Sequence, residues 1–132
     1  MTYFPDLTPY SYLPTDPREA WSHLPLRNVG WLDAEHPFPT GECPDGLVAA
    51  LTRLARVRVQ QTRGRHHCEL CLRALGADAY DAVRLGLVAR GSAEFRVRGD
   101  GVVYAVPELM VHYVTAHAYL PPAEFRAAAL AA

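Results

Sequence analysis

The sequence predicts an α+β fold, with a small antiparallel sheet built on one β-hairpin, flanking helices and an irregular, proline-rich N-terminus. Three observations lead there. First, Ala93–Arg98 alternates apolar and polar residues, and Val102–Val106 is β-branched and aromatic. Between them Gly99-Asp100-Gly101 supplies an Asp-Gly step suited to a tight turn, so a hairpin is expected over about 92–106. Second, Leu47, Val48, Leu51, Leu54 and Ala55 recur at helical spacing, which predicts a helix over about 44–56 with Pro44 or Asp45 in its first turn. Third, Pro5, Pro9, Pro14, Pro17 and Pro25 recur too often for a helix of any length.

Taken in order, residues 1–25 carry Tyr3, Phe4, Tyr10, Tyr12 and Trp21, too many aromatics for a solvated tail. The segment is therefore expected to lie across the domain, with a short helix near Pro17–Ser22. Arg27–Leu32 reads as a short strand, and 33–45, with Pro37, Pro39, Gly41 and Pro44, as a loop. After the 44–56 helix, Arg56–Gln60 alternates and suggests a further strand before a turn at Gly64. Residues 66–71 form a zinc-knuckle-like turn. Pro107 suits a first helical turn, so a helix follows the hairpin over about 107–118, ended by Pro121-Pro122. An alanine-rich helix over about 122–130 places Phe125 and Ala129 on one face. With no internal repeat and no second boundary, 1–132 is expected to be a single domain.

Half of the 132 residues are apolar and a fifth are charged, an ordinary globular composition. No apolar run approaches the roughly 18 residues of a membrane span, and Met1–Asp6 lacks the basic and apolar regions of a secretion signal. A cytoplasmic protein is expected. All 13 basic residues are arginine. Without lysine there is no Schiff base, no covalently held pyridoxal phosphate and no P-loop lysine. A net charge of −1 supplies no overall field for nucleic acid or an anionic membrane.

The chemistry concentrates in Cys68-Glu69-Leu70-Cys71, preceded by His66 and His67, with His112 and His117 some forty residues on. Two thiolates separated by two residues and a pair of imidazoles are the donors that tetrahedral Zn2+ takes. Three cysteines without an export signal fit a reduced compartment better than a disulfide framework. The set Cys68, Cys71, His112 and His117 has one geometric difficulty. Five positions turn an ideal helix about 140° past a full turn, so His112 and His117 share a ligand face only if the helix distorts near its end, for which Pro121 gives a reason. Otherwise His67 is the reserve ligand, followed by His66 or Cys43. The ordinary alternatives are buried thiols at Cys68 and Cys71, a hydrogen-bonded core imidazole at His117, beside the Leu109, Met110, Tyr113 and Val114 stripe, and an apolar filler at Cys43.

A closed four-ligand site is structural, whereas catalysis needs an open position with a nearby acid or base, for which Glu69 and Glu108 are the weak candidates. His67-Cys68-Glu69 matches the first half of a zinc deaminase signature, but the Pro-Cys-x-x-Cys half is absent. A thioredoxin-like dithiol would need Cys68 to open a helix in a βαβ setting, which the reading of the chain does not provide. Arg53, Arg56, Arg58, Arg63 and Arg65 could dock nucleic acid, yet they lack interleaved aromatics and read better as a solvated face. The order of knuckle, hairpin and helix is treble-clef-like, although such modules place their later ligands at the start of the helix.

Gly91–Val97, His112–His117 with Pro121-Pro122-Ala123-Glu124-Phe125, and Val29–Leu32 resemble a family of small bacterial proteins of unknown function. The resemblance covers most of the chain, with the Cys68–Cys71 pair inside it, and implies no activity. The favoured reading is a small zinc protein with a structural Cys2His2-type site that binds or regulates an unidentified protein or small molecule. A zinc-dependent hydrolase or lyase and a nucleic-acid-associated zinc module are the alternatives, and the sequence leaves open whether the protein is an enzyme.

Overall fold

A computed structural model describes residues 2–62 and 65–132. The expected Gly64 turn and Arg63 lie outside the described residues. The architecture is α+β, as the hairpin and the helical spacings predict, but the sheet is mixed rather than antiparallel. Strand β1 (Leu26–Asn28) runs parallel to β5 (Val103–Pro107), which pairs antiparallel with β4 (Glu94–Arg98), giving the order β1-β5-β4. A second, two-stranded sheet pairs β2 (His66–His67) with β3 (Arg90–Gly91). The helices are α1 (Leu47–Leu54), α2 (Glu69–Leu75), α3 (Ala79–Arg84), α4 (Met110–His117) and α5 (Ala123–Ala131), with a 3-10 turn at Gly76–Asp78.

The hairpin forms where the Asp-Gly step puts it. Gly101 takes φ 67 and the Gly99 N–H donates to the Val102 carbonyl at 2.8 Å. Pro107 ends β5 opposite Glu94 instead of opening the helix. β5 is the central strand, but β1 reaches only Val103–Ala105, so Pro107 lacks a neighbour that would need its N–H. Its helix, α4, accordingly starts at Met110.

The strand expected over Arg27–Leu32 shrinks to Leu26–Asn28, after which Val29–Leu32 runs on as buried, non-strand chain. Gly30 has φ 84 there, and a Cβ on it would lie 2.5 Å from the Met110 terminal methyl, so glycine lets this segment approach α4. Pro17–Ser22 is a series of turns, not a helix. Of Arg56–Gln60 only Val59 pairs, through two 2.8 Å bonds with Glu94.

Phe95, Val97, Tyr104 and Val106 point from one face of the sheet into a core shared with Leu47, Leu51, Met110, Tyr113, Val114, Phe125 and Ala129. The opposite face carries Glu94 and Arg96, and the N-terminal segment lies across it as its aromatics predict: Tyr10 donates to Glu94 Oε2 at 2.9 Å. That segment is anchored by Asp6, whose Oδ1 accepts the Gly30 N–H (3.0 Å) and whose Oδ2 accepts the Tyr119 hydroxyl (2.8 Å). Asp6→Ala leaves both donors unpaired in a buried setting and is expected to lower unfolding free energy by about 1–3 kcal/mol, read from urea denaturation. An unchanged midpoint would show the anchor to be dispensable.

Candidate metal centre

The Cys68–Cys71 pair sits at the start of a helix that the sequence reading leaves out. Cys68 is the residue before α2, extended at φ −63 and ψ 111, and its carbonyl accepts the Leu72 N–H. Cys71 lies in the first turn of α2, so the two thiols flank the strand-to-helix corner after β2. The expected knuckle is thus a short strand followed by a helix. The signal for α2 is present: Glu69 in the first turn, Arg73 in the last, and Gly76 (φ 56) as stop. α2 buries none of its residues, so the apolar periodicity that reveals α1 is lacking. α3, stopped by Gly86 (φ 74), is short for the same kind of detection.

Together α2 and α3 form an excursion from the main body. Arg73 holds it on one side, donating to the Ala34 carbonyl (2.6 Å) and pairing with Glu35. Cys68, fully buried, and Leu70 and Cys71, packed against the core, hold its base.

The imidazoles come from α4. The Ala118 N–H reaches back five residues to the Tyr113 carbonyl, and the Tyr119 N–H bonds the same oxygen at 3.1 Å. Such a bond closes a wider turn than the α-helical i→i−4 bond and reduces the angular excess between His112 and His117. Ala118 then leaves the helix at φ 54. The late distortion that the spacing demands is therefore present, and the two Nε2 atoms lie 3.2 Å apart.

All four predicted donors meet. His117 Nε2 is 3.4 Å from both Cys68 Sγ and Cys71 Sγ, and His112 Nε2 is 3.3 Å from Cys71 Sγ. The four donor atoms lie within 4.8 Å of one another, and the group could hold a metal ion. Hydrogen bonding alone accounts poorly for it. Each imidazole Nε2 offers either one proton or one lone pair, yet His117 Nε2 faces two sulfurs and a second nitrogen at once.

Burial pushes the Cys68 thiol up to about 11; the Cys71 backbone N–H pulls it down and the Cys71 thiol pushes it up. Burial also lowers His112 and His117, with mutual repulsion adding to the effect on His112. Neutral imidazoles suit a cation, whereas the thiols must lose their protons to bind one. Tyr113, buried beside the two histidines, packs its ring centroid 6.1 Å from His112 and 6.5 Å from His117.

The remaining candidates lie elsewhere. His67 pairs opposite Arg90 in the small sheet and His66 meets the Tyr12 hydroxyl at 3.4 Å; neither belongs to the four-donor group. Cys43 is half-buried against the core, with its thiol 3.5 Å from the Pro44 carbonyl. Glu108 is held by the Arg58 guanidinium at 2.6 Å and by the Ser92 N–H at 2.9 Å. Glu69, half-buried, opens α2 beside the thiols.

The arginine run divides. Arg58 and Arg65 border one polar cavity, joined by Arg90, while Arg53 borders a different groove. The sequence reading missed the buried cluster of Tyr10, Trp21, Glu94 and Arg96, because alternation along β4 does not say which face is solvated.

No helix among the described residues is long and apolar enough to cross a membrane. No curated protein and no solved structure matches the chain. Matched over residues 2–130, the chain belongs to the DUF7919 family, a domain of unknown function.

Proposed function

We propose that this chain is a zinc protein in which Cys68, Cys71, His112 and His117 hold one Zn2+ in a closed structural site, within one domain spanning 1–132. The observation that carries the reading is the convergence of four donors from two segments. Zinc bonds of about 2.3 Å to sulfur and about 2.0 Å to nitrogen imply tetrahedral edges of about 3.3 Å (N–N) and about 3.5 Å (S–N). The measured 3.2 Å and 3.3–3.4 Å lie within a few tenths of an ångström of these values. Four protein donors leave no position for a reacting water, which favours a structural role over a hydrolase or lyase. The ion would fasten α2 and α3, which share little buried surface with the rest, to α4. A treble-clef-like order would carry α2 and α3 as an insertion between the thiols and the hairpin, with His112 in the first turn of α4 and His117 as its last residue.

On this reading the protein works by binding or regulation in a reducing, cytoplasmic setting, where its three cysteines stay out of disulfides. Among the described residues the arginine run divides between two cavities, which disfavours nucleic acid as the partner. Protein purified without a His-tag is expected to carry one zinc per chain by plasma mass spectrometry, and absence of stoichiometric metal would overturn the proposal. Glu69→Gln is expected to leave the metal content, the melting temperature and the visible spectrum of the cobalt-substituted protein unchanged. A cobalt spectrum that responds to added azide would instead reveal an open coordination position and favour catalysis.

A further inference from the structure

We propose a second site, independent of the metal centre: a groove beside β4, the edge strand of the main sheet, that binds small carboxylates carrying an apolar body. Its walls are Trp21, Leu54 and Val57 on the apolar side and Arg53, Arg96 and Arg98 on the charged side, around a cavity of about 480 Å3. That volume is in the range of small-molecule pockets.

The charge is unbalanced at Arg98, since Glu94 already pairs with Arg96 at 2.7 Å. Among the described residues no acidic side chain lines the groove. Arg96 is a fixed part of the wall, with its side chain 6 % exposed and paired to Glu94. Its Nη1 donates to Glu94 Oε1 at 2.7 Å and to the Phe95 carbonyl at 3.4 Å, while its Nε is buried with no partner. The rings of Tyr10 and Trp21 flank the guanidinium at 5.2 and 5.6 Å, fixing its position. Arg98, next along the same face of β4, is exposed and makes no ion pair among the described residues. Arg53 directs Nη2 to the Ala132 main-chain oxygen. The adjoining cavity, which Arg96 and Trp21 also line, carries Glu19 and Asp16, the latter paired with Arg18 at 2.9 Å.

The apolar wall restricts the ligand class further. Val57 is 71 % exposed, high for a valine beside an aromatic ring and a leucine. Inorganic phosphate would leave Val57 and Trp21 uncovered, and a neutral hydrocarbon would leave the arginines without an acceptor. A carboxylate on an aryl or short acyl body answers both, with the anion toward Arg98 and the body on Trp21, Leu54 and Val57.

The test uses 3-phenylpropionate as probe, 3-phenylpropionamide as its uncharged counterpart, and amide and indole NMR of the full chain. The acid is expected to shift the Trp21 indole and the Val57 and Arg98 amides saturably, leaving the Trp31 indole, bonded to the Ala105 carbonyl at 2.9 Å, in place. The amide, or the acid with Arg98→Gln, should bind about tenfold more weakly, the worth of one charged hydrogen bond. Val57→Ser should weaken the acid while the spectrum stays that of a folded protein. Equal binding of acid and amide, indifference to Arg98→Gln, or no saturable shift at millimolar probe would overturn the proposal.

Discussion

Cys68→Ser is expected to abolish soluble folding. Serine nearly matches cysteine in size, so the packing of this fully buried position changes little. What is lost is a thiolate donor: hydroxyl is a poor zinc ligand at neutral pH, and three donors remain around an ion that the proposed site encloses with four. Structural zinc contributes an apparent binding free energy of about 10–16 kcal/mol in small peptides, the same order as a whole domain's stability of about 5–15 kcal/mol. Cys71→Ser, His112→Ala and His117→Ala should behave alike, since each removes one donor of a single ion. Cys43→Ser, whose thiol stands outside the group, should retain both metal and melting temperature. Solubility, zinc content and thermal unfolding read the outcome, and chelation of the wild-type protein should reproduce the variants' unfolding. A Cys68→Ser protein that melts within a few degrees of wild type would refute a fold-holding metal.

Glu94→Ala is expected to destabilise the protein by about 3–5 kcal/mol. Glu94 and Arg96 are two residues apart on one face of β4, 2.7 Å from each other, with side chains 4 % and 6 % exposed. Burial holds the Glu94 carboxyl above its ordinary range, even though Arg96 and Tyr10 both pull it down. The pair therefore does little more than offset the cost of burying its own charges. Its removal is a different matter: alanine leaves a guanidinium with an already unpartnered Nε and no counter-charge, and takes the acceptor from the Tyr10 hydroxyl. The double replacement Glu94→Leu with Arg96→Met removes both charges at similar volume and should recover most of the loss. Urea midpoints of the single and double variants decide this, and a single variant within 1 kcal/mol of wild type would show that water or a rearranged side chain reaches Arg96.

Much of the local structure was legible because it is encoded locally. The Asp100-Gly101 step makes its turn wherever strands flank it, and the apolar stripe of Leu47 and Leu51 needs only one surface to cover. α5 follows from Pro122 and an alanine-rich run in the same way. Elements without a buried stripe were not legible: α2 fully buries none of its residues, and α3 only Ala82. The inward direction of Glu94 and Arg96 was also hidden, since an alternating strand has the same pattern whether its charged face meets water or a covering segment.

The metal centre divides along the same line. By itself the sequence determined which residues have the right donor chemistry, because Cys-x-x-Cys and a histidine pair are soft and borderline ligands in any conformation. It determined the hairpin, α1 and α5 for the same local reason. The tertiary structure alone decided that β1 joins the sheet parallel to β5, across some seventy residues of chain, since a three-residue strand carries no periodic signal. It also decided that the last turn of α4 widens at Tyr113–Ala118 and brings His112 and His117 to the same point as the two thiols. Residue type sets what an atom can bind; only the packing of separate segments sets whether four such atoms meet.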